Sequence, residues 1–195
     1  MGNTARQPKL FEASPFSSLP EGFKYVADLI SAKEERALVL QFADLPFREF
    51  EYQGFQGKRR VVSFGWRYDF NVRRLQKTGD IPDFLLSLRA VAAAFANLPP
   101  EILQQVLVTE YPLGAPIGWH KDRPEFGEVV GVSLLAPCIL RFRRKIGSKW
   151  ERASLIAERR SAYLLSGAAR QDWQHSIPPV ESLRYSVTFR SFKAR

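Results

Sequence analysis

The stretch that most constrains the fold occupies residues 184–190 and reads Arg-Tyr-Ser-Val-Thr-Phe-Arg. Polar residues stand at its even positions and apolar residues at its odd positions, and this period of two predicts a β-strand with one polar and one apolar face. Arg184 and Arg190 therefore project from the same face, with two hydroxyls between them. Such a strand either lies at the surface with its polar face in water, or belongs to a site where two guanidinium groups bind a dianionic small molecule.

The chain between residue 100 and this stretch predicts further strands, because apolar, β-branched runs recur there between turn residues. The predicted strands cover residues 106–111, 129–135, 139–142, 162–165 and 183–189. A basic cluster interrupts the pattern after residue 140 and predicts the solvated end of a hairpin. Its members are Arg141, Arg143, Arg144 and Lys145.

Two helices are predicted upstream of these strands. Ser31 followed by Glu34 has the spacing of a capping box, and a helical pattern continues through Phe42. Pro82 opens a second helix, which a Pro-Pro pair ends. Residues 47–70 are rich in aromatics and glycine and predict short strands and a hairpin. We therefore expect an α+β, mostly β fold with helices packed on one side of a β-sandwich.

The composition indicates a globular chain without a membrane segment. Hydrophobic residues make up 45% and charged residues 25%, and the longest apolar run, residues 90–96, is too short to span a bilayer. We expect residues 1–22 to form a loosely ordered arm and residues 23–195 to form one domain. A single cysteine suits the reducing cytosol, where we expect a monomer. The net charge of +9 favours a polyanionic partner such as nucleic acid.

The two histidines of the chain define a candidate metal site. His120 and Asp122 are two positions apart, so that on a strand their side chains project to the same face. With His175 they would form a set of two histidines and one carboxylate, which binds Fe(II) and leaves positions open for substrate and O2. The spacing alone leaves the alternative that both histidines are ordinary polar residues with hydrogen-bond partners. Trp119 points to the other side of the strand, where we expect it in the core.

The ordered combination of these motifs resembles the AlkB family of Fe(II)- and 2-oxoglutarate-dependent dioxygenases. The resemblance includes the His-x-Asp pair, the distal histidine and the Arg-x-polar-x-Thr-x-Arg strand. Upstream, Thr-Glu-Tyr-Pro-Leu-Gly at residues 109–114 is similar to the family's Asn-x-Tyr-x-x-Gly turn. The resemblance covers roughly residues 59–190. It implies a double-stranded β-helix, or jelly roll, in residues 101–195, with Fe(II), 2-oxoglutarate and O2 as cofactor and cosubstrates.

The resemblance also implies a role for each motif residue. The implied metal ligands and catalytic residues are His120, Asp122 and His175. The implied cosubstrate-binding residues are Tyr111, Arg184, Arg190, Thr109 and Ser186. Among these, Arg184 would pair with the distal carboxylate of 2-oxoglutarate, and Arg190 would help to hold the carboxylate nearest the metal. Thr109 and Ser186 stand where the family usually has Asn, so each keeps a hydrogen-bonding group of shorter reach.

For the substrate, the resemblance implies an alkylated base in DNA or RNA that leaves the stack, and we expect a single strand. Within residues 23–100, the segment 57–70 interleaves cations and aromatics, and the resemblance implies that it forms a lid over the base. Cations there would contact phosphates, and an aromatic ring would stack on the base. The predicted contact residues are Arg59, Arg60, Trp66, Tyr68 and Phe70. The alternative for the aromatics is a place in the core of a sheet.

One position departs from the DNA-repairing members, which commonly have an acidic residue two positions after the metal Asp. Pro124 occupies that position here, and Glu125 follows it as the candidate substitute. Three hypotheses therefore stand side by side: dealkylation of nucleic-acid bases, the same chemistry on a protein or other substrate, and a non-catalytic nucleic-acid-binding β-domain. The third would not need both arginines and both hydroxyls on the final strand.

Overall fold

The computed structural model describes residues 19–52, 55–69, 72 and 74–193. In this part of the chain the helices are α1 (Ala32–Phe42), α2 (Asp83–Ala96) and α3 (Gly167–Gln171), with a 3-10 turn at Pro100–Ile102. The strands are β1 (Phe23–Val26), β2 (Arg48–Tyr52), β3 (Phe55–Phe64), β4 (Trp66–Asp69), β5 (Arg74–Lys77), β6 (Gln105–Tyr111), β7 (Ile117–His120), β8 (Phe126–Leu134), β9 (Cys138–Ile146), β10 (Lys149–Ala157), β11 (Ala162–Leu165), β12 (Gln174–Ile177) and β13 (Arg184–Phe192). Residues 1–18 of the predicted arm and Phe70 of the predicted lid lie outside the described residues.

Both predicted helices form where their terminal signals place them. The Ser31 hydroxyl accepts a hydrogen bond from the Glu34 N–H at 3.2 Å, and the Glu34 carboxylate accepts one from the Ser31 N–H at 2.7 Å. Helix α2 follows Pro82 and ends at Asn97, whose left-handed backbone (φ 57°) stops the helix before the Pro-Pro pair. The apolar faces of α1 and α2 pack on the outer side of the larger sheet. Neither helix is long and apolar enough to cross a membrane, nor is the short α3.

The strands pair antiparallel in two facing sheets. The larger sheet has the order β1-β11-β8-β13-β6-β3-β2, and the smaller has the order β10-β9-β12-β7. From β6 to β13 the chain crosses repeatedly between the two sheets, which is the winding of a jelly roll. Strands β4 and β5 form a separate hairpin. The predicted mostly β jelly roll with helices on one side is confirmed.

Strand β13, which contains the stretch quoted first, lies in the larger sheet between β6 and β8. Its apolar residues, including Val187 and Phe189, face the helices. Its polar residues Arg184, Ser186 and Thr188 are also buried, and they face the space between the sheets. The alternative that this strand keeps its polar face in water is therefore wrong.

Strand β9 is longer than predicted, and this changes the place of the basic cluster. The strand continues to Ile146, and the hairpin turns at Gly147, where φ is 58°. Arg141 and Arg143 therefore lie along the strand, and the prediction that they mark a hairpin end is wrong. The partner strand β10 was not predicted, because its first four residues, Lys149 to Arg152, include three charged ones and give no apolar run.

Candidate metal and cosubstrate site

Three potential metal ligands meet between the two sheets. His120, at the end of β7, is in register with His175 on β12, and their ring centroids are 4.2 Å apart. Asp122 follows two residues later, and its Oδ2 lies 3.6 Å from Nε2 of His175. One ligand atom of each residue lies within 4.8 Å of the other two. The three side chains therefore converge, as their spacing predicted.

The surroundings hold this cluster in the protonation state that metal binding requires. Burial lowers the pKa of both histidines, to about 3 for His175, where the neighbouring His120 adds to the effect. Burial alone would raise the pKa of the Asp122 carboxyl, but Arg190 and the two histidines outweigh it and hold that pKa below its usual range. Neutral imidazole and ionised carboxylate are the forms that bind metals. At neutral pH all three side chains can thus donate lone pairs to a cation.

Arg190 of β13 borders this cluster. Its Nε donates to Oδ1 of Asp122 at 2.7 Å, and its Nη1 donates to Oε1 of Gln105 at 2.7 Å. The carboxylate is therefore oriented by a charge-assisted hydrogen bond while its other oxygen faces the histidines. Gln105 was missed in the sequence, although it stands directly opposite Arg190 in the register of β6 and β13.

Arg184 lies on the same face of β13 and is only 1% exposed. Its guanidinium is 4.5 Å from the ring centroid of Tyr111, and its Nη2 donates to Oγ of Ser133 at 3.0 Å. Nε and Nη1 are buried and have no hydrogen-bond partner among the described residues. An unpaired buried charge costs several kcal/mol. These free donors therefore indicate the binding place of an anion.

Small hydroxyl residues leave room beside Arg184. Ser186 pairs across the strands with Thr109 on one side and with Ser133 on the other, and all three are buried. Thr109 and Ser186, the two positions where the family usually has Asn, are therefore direct neighbours. Both side chains are shorter than Asn and extend less far into the space beside Arg184. Tyr163 also borders this space, and burial raises the pKa of its hydroxyl, which stays protonated and can donate. Ser133 and Tyr163 were not predicted, since they lie on strands whose pairing the sequence did not reveal.

The two adjacent lid arginines point to opposite faces of the larger sheet. Arg60 forms a bidentate pair with Glu110, at 2.7 and 2.8 Å, on the helix side. The prediction that Arg60 joins a substrate surface at the metal is therefore wrong. The guanidinium of Arg59 lies 3.7 Å from the ring centroid of Phe50. Burial lowers the pKa of Arg59 and the charge on Arg190 adds to this, which places Arg59 on the side of the metal cluster.

Strand β4, which belongs to the predicted lid segment 57–70, lies beside the residues that follow Asp122. The guanidinium of Arg123 is 4.0 Å from the ring centroid of Tyr68 and donates to its hydroxyl at 2.5 Å. The same guanidinium lies 3.3 Å from the carboxylate of Glu125. Trp66 packs edge-on against Phe192, with 5.4 Å between ring centroids. Thus one face of Tyr68 is covered by a cation, and Trp66 is packed against the end of β13.

Arg170 fastens the backbone of this segment and was not predicted. From α3 it donates to the carbonyl oxygens of Arg123 at 2.6 Å, Phe126 at 2.8 Å and Gly127 at 3.0 Å. A buried guanidinium with every contact on backbone carbonyls serves to fix the chain path. Here the chain path fixed is that of the residues immediately after Asp122.

A jelly roll that holds two histidines and one carboxylate, with a buried unpaired arginine beside them, has the architecture of a non-haem Fe(II) oxygenase. The model of the 2OG-Fe(II) oxygenase superfamily matches residues 22–190, and the chain belongs to this family. The protein is an AlkB-like Fe(II)- and 2-oxoglutarate-dependent dioxygenase, and O2 is the second cosubstrate of the family.

Two curated relatives refine the comparison. Over 160 residues the chain is 31% identical to "Alkylated DNA repair protein ALKBH8 homolog" of Arabidopsis thaliana, which covers 69% of this chain and 46% of that protein. It is 26% identical to "tRNA (carboxymethyluridine(34)-5-O)-methyltransferase alkbh8" of Xenopus tropicalis, over 83% of this chain and 26% of that protein. The chain thus spans less than half the length of both relatives.

Solved structures show the same fold at low sequence identity. The structure of OsALKBH1 superposes with a TM-score of 0.69 and 17% identity, covering 91% of this chain and all of that one. A prolyl-4-hydroxylase from Pseudomonas putida superposes with a TM-score of 0.57 and 12% identity, covering 89% and 94%.

Proposed function

We propose that this dioxygenase oxidises an alkyl group on a base of a single nucleic-acid strand and thereby removes N-linked alkyl groups. The names of the two curated relatives connect those proteins with alkylated DNA and with tRNA. The net charge of +9 supports a polyanionic substrate. The proposal describes a monomer in the cytosol that acts on DNA or RNA.

His120, Asp122 and His175 are the proposed holders of Fe(II), because they are the donor set that converges in the described residues. Arg184 would bind the distal carboxylate of 2-oxoglutarate through its unpaired Nε and Nη1. Tyr111 packs against that guanidinium, and its hydroxyl would donate a hydrogen bond to the cosubstrate. The hydroxyls of Thr109 and Ser186 would also donate hydrogen bonds to it. When bound, the metal and 2-oxoglutarate supply O2 activation, with release of succinate and CO2 and oxidation of a nearby C–H bond.

The hydrogen bond from Arg190 gives Asp122 one defined orientation. The second proposed contact of Arg190 is the carboxylate of 2-oxoglutarate that lies nearest the metal. On the substrate, insertion of oxygen into an N-methyl C–H bond gives an N-hydroxymethyl group. Its C–N bond breaks as the hydroxyl proton leaves, so that formaldehyde and the free amine are the products. The protein's part is to exclude water and to orient the alkyl group.

Arg59 is the observation that carries the nucleic-acid assignment. Its side chain is half-buried and lies near the positive charge of Arg190. Its guanidinium donates no hydrogen bond to any of the described residues. A phosphate beside the target base would neutralise it. Tyr68 and Trp66 would line the approach to the metal, with Glu125 near the base. Because Arg123 already covers one face of Tyr68, a base would not stack on that face.

Succinate release in the presence of Fe(II), ascorbate and 2-oxoglutarate tests this proposal. We expect methylated single-stranded oligonucleotides to stimulate the release and to yield formaldehyde, whereas unmethylated oligonucleotides do not. A mass-spectrometric screen of methylated DNA and RNA oligonucleotides then identifies the base. Stimulation by a protein extract and by none of the oligonucleotides would contradict the nucleic-acid assignment and leave the dioxygenase assignment intact.

A further inference from the structure

The outer face of the smaller sheet carries a second set of cations and aromatics. The outward positions of β7, β12, β9 and β10 follow from the inward positions of His120, His175 and Phe142. On β9 and β10 the register puts Arg143 opposite Arg152 and Lys145 opposite Trp150. The face consists of Trp119, Gln174, Ser176, Ile139, Arg141, Arg143, Lys145, Trp150, Arg152, Ser154 and Ile156. We call this set the outer face.

Arginines and tryptophans stack on each other across this face. The guanidinium of Arg143 lies 4.5 Å from the ring centroid of Trp119 and 4.5 Å from that of Trp150. Arg141 lies 5.1 Å from the ring centroid of Trp119. The prediction that Trp119 belongs to the core is therefore wrong, because its ring is half-buried under cations on the outside of the sheet.

Hydrogen bonds orient both guanidinium groups but leave most of their donors unused. Arg141 donates only from Nε, to Ser176 at 3.1 Å, and Arg143 only from Nε, to Gln174 at 2.7 Å, among contacts within the described residues. The Nη atoms of both side chains thus have no protein acceptor there. Guanidinium groups held flat by stacking and by one hydrogen bond are preorganised to bind phosphate oxygens.

This face is open to solvent and has one sign of charge. Trp150 is 39% exposed and Ile156 is 57% exposed, and α1 and α2 pack on the other sheet. Among the outward positions of these four strands no residue is Asp or Glu. The charge of the face selects a polyanion, and the exposed indole of Trp150 selects a polyanion with planar groups that can stack.

We propose that the outer face binds the stretch of single-stranded nucleic acid that flanks the target base. This inference rests on the proposed function and adds a second binding surface to it. Trp119 and His120 are consecutive residues of β7, which is the edge strand of the sheet. A single strand of nucleic acid that passes around this edge of the sheet would therefore extend from the metal side to the outer face. Phosphates would contact Arg141 and Arg143, and a base would stack on Trp150.

Fluorescence anisotropy with labelled, unmethylated single-stranded oligonucleotides tests this surface. The double variant Arg141→Gln/Arg143→Gln removes two cations from the outer face, and Lys33→Gln/Arg36→Gln removes two exposed cations from α1 as the matched control. We expect the first pair to weaken binding of an oligonucleotide of about 15 nucleotides and to reduce the slope of log K against log salt by about 1.4, which is about 0.7 for each lost phosphate contact. Trinucleotide binding should change little, because a trinucleotide reaches only the metal side.

A third variant, Trp150→Ala, removes the stacking surface without changing the charge. We expect a loss of affinity of about 5- to 150-fold for the longer oligonucleotide. Succinate release without nucleic acid should stay at the wild-type level in Trp150→Ala and in the control pair, because none of these residues contacts the metal cluster. If the control pair lowers affinity and slope as much as the outer-face pair, the inference is wrong and the proposed function stands. If the wild-type protein binds none of these unmethylated oligonucleotides, the inference is wrong, and if methylated oligonucleotides also fail to bind, the proposed function is wrong as well.

Discussion

The unpaired hydrogen-bond donors of Arg184 predict that replacing this residue has opposite effects on protein stability and on 2-oxoglutarate binding. In the protein without 2-oxoglutarate, a guanidinium that is 1% exposed makes one hydrogen bond, to Ser133, and leaves Nε and Nη1 unsatisfied. Replacing buried ionic groups by well-packed apolar side chains of similar volume is often neutral or stabilises a protein by about 1–4 kcal/mol. We therefore expect Arg184→Met to leave the free energy of unfolding unchanged or to raise it within that range.

With 2-oxoglutarate the same change should be harmful. Removing one member of a buried charged pair costs about 2–5 kcal/mol, and each 1.4 kcal/mol is about a factor of ten in affinity. The affinity for 2-oxoglutarate should thus fall by about 30-fold to several thousand-fold. The wild-type protein should gain about 2.7 kcal/mol of stability at a 2-oxoglutarate concentration of about 100 times Kd, and the variant should gain at most about 0.9 kcal/mol at the same concentration.

Urea unfolding with and without 2-oxoglutarate measures both effects, with Mn(II) in place of Fe(II) to prevent turnover. Arg170→Met is the matched control, because this buried arginine makes three hydrogen bonds to backbone carbonyls. It should destabilise the protein in both conditions, since it leaves buried acceptors unpaired. If Arg184→Met behaves like the control and loses stability without the ligand, Arg184 is a structural residue and the reasoning from its free donors is refuted.

Three further substitutions test other parts of the structure. His175→Ala should reduce succinate release to background while near-UV circular dichroism stays native, and retained turnover would exclude it as a metal ligand. Glu35→Ala should lower the free energy of unfolding by about 2–4 kcal/mol, measured in urea, because its carboxylate is 1% exposed and accepts from the Leu135 N–H at 2.8 Å. Gly131→Ala should destabilise the protein by about 1–3 kcal/mol or more in thermal unfolding, because the new Cβ would lie 2.3 Å from the Tyr163 ring; wild-type stability would show that this ring can move freely.

The inward face of β13 could be predicted from the sequence, because alternation along a strand is a local property. The proximity of His120 and Asp122 was predicted as well, although β7 ends at His120 and Asp122 lies just beyond the strand. Residues on neighbouring strands could not, because Ser133 and Gln105 reach the arginines only through the register of the sheet. A register irregularity between β2 and β3 also falls next to Arg60, and the sequence showed no sign of it.

Whether Trp119 lies in the core or at the surface depends on which of the two sheets the helices cover, and no local sequence pattern specifies this. The helices were predicted correctly, but their apolar faces could cover either sheet of the sandwich. They cover the larger sheet, and no helix of the described residues covers the outer face of the smaller one. An aromatic residue that would be core in the first sheet is therefore a half-buried surface residue in the second.

Strand β7 links the two proposed functional surfaces through a single backbone. Because consecutive side chains of a strand project to opposite sides, His120 faces the metal cluster and Trp119 faces outward. The packing of Trp119 under Arg141 and Arg143 holds the same stretch of backbone that positions His120. Substitutions at Trp119 would therefore confuse loss of nucleic-acid contact with displacement of a proposed metal ligand. Trp150 lies on β10, which carries none of the three proposed ligands, so Trp150→Ala separates binding along the outer face from chemistry at the metal.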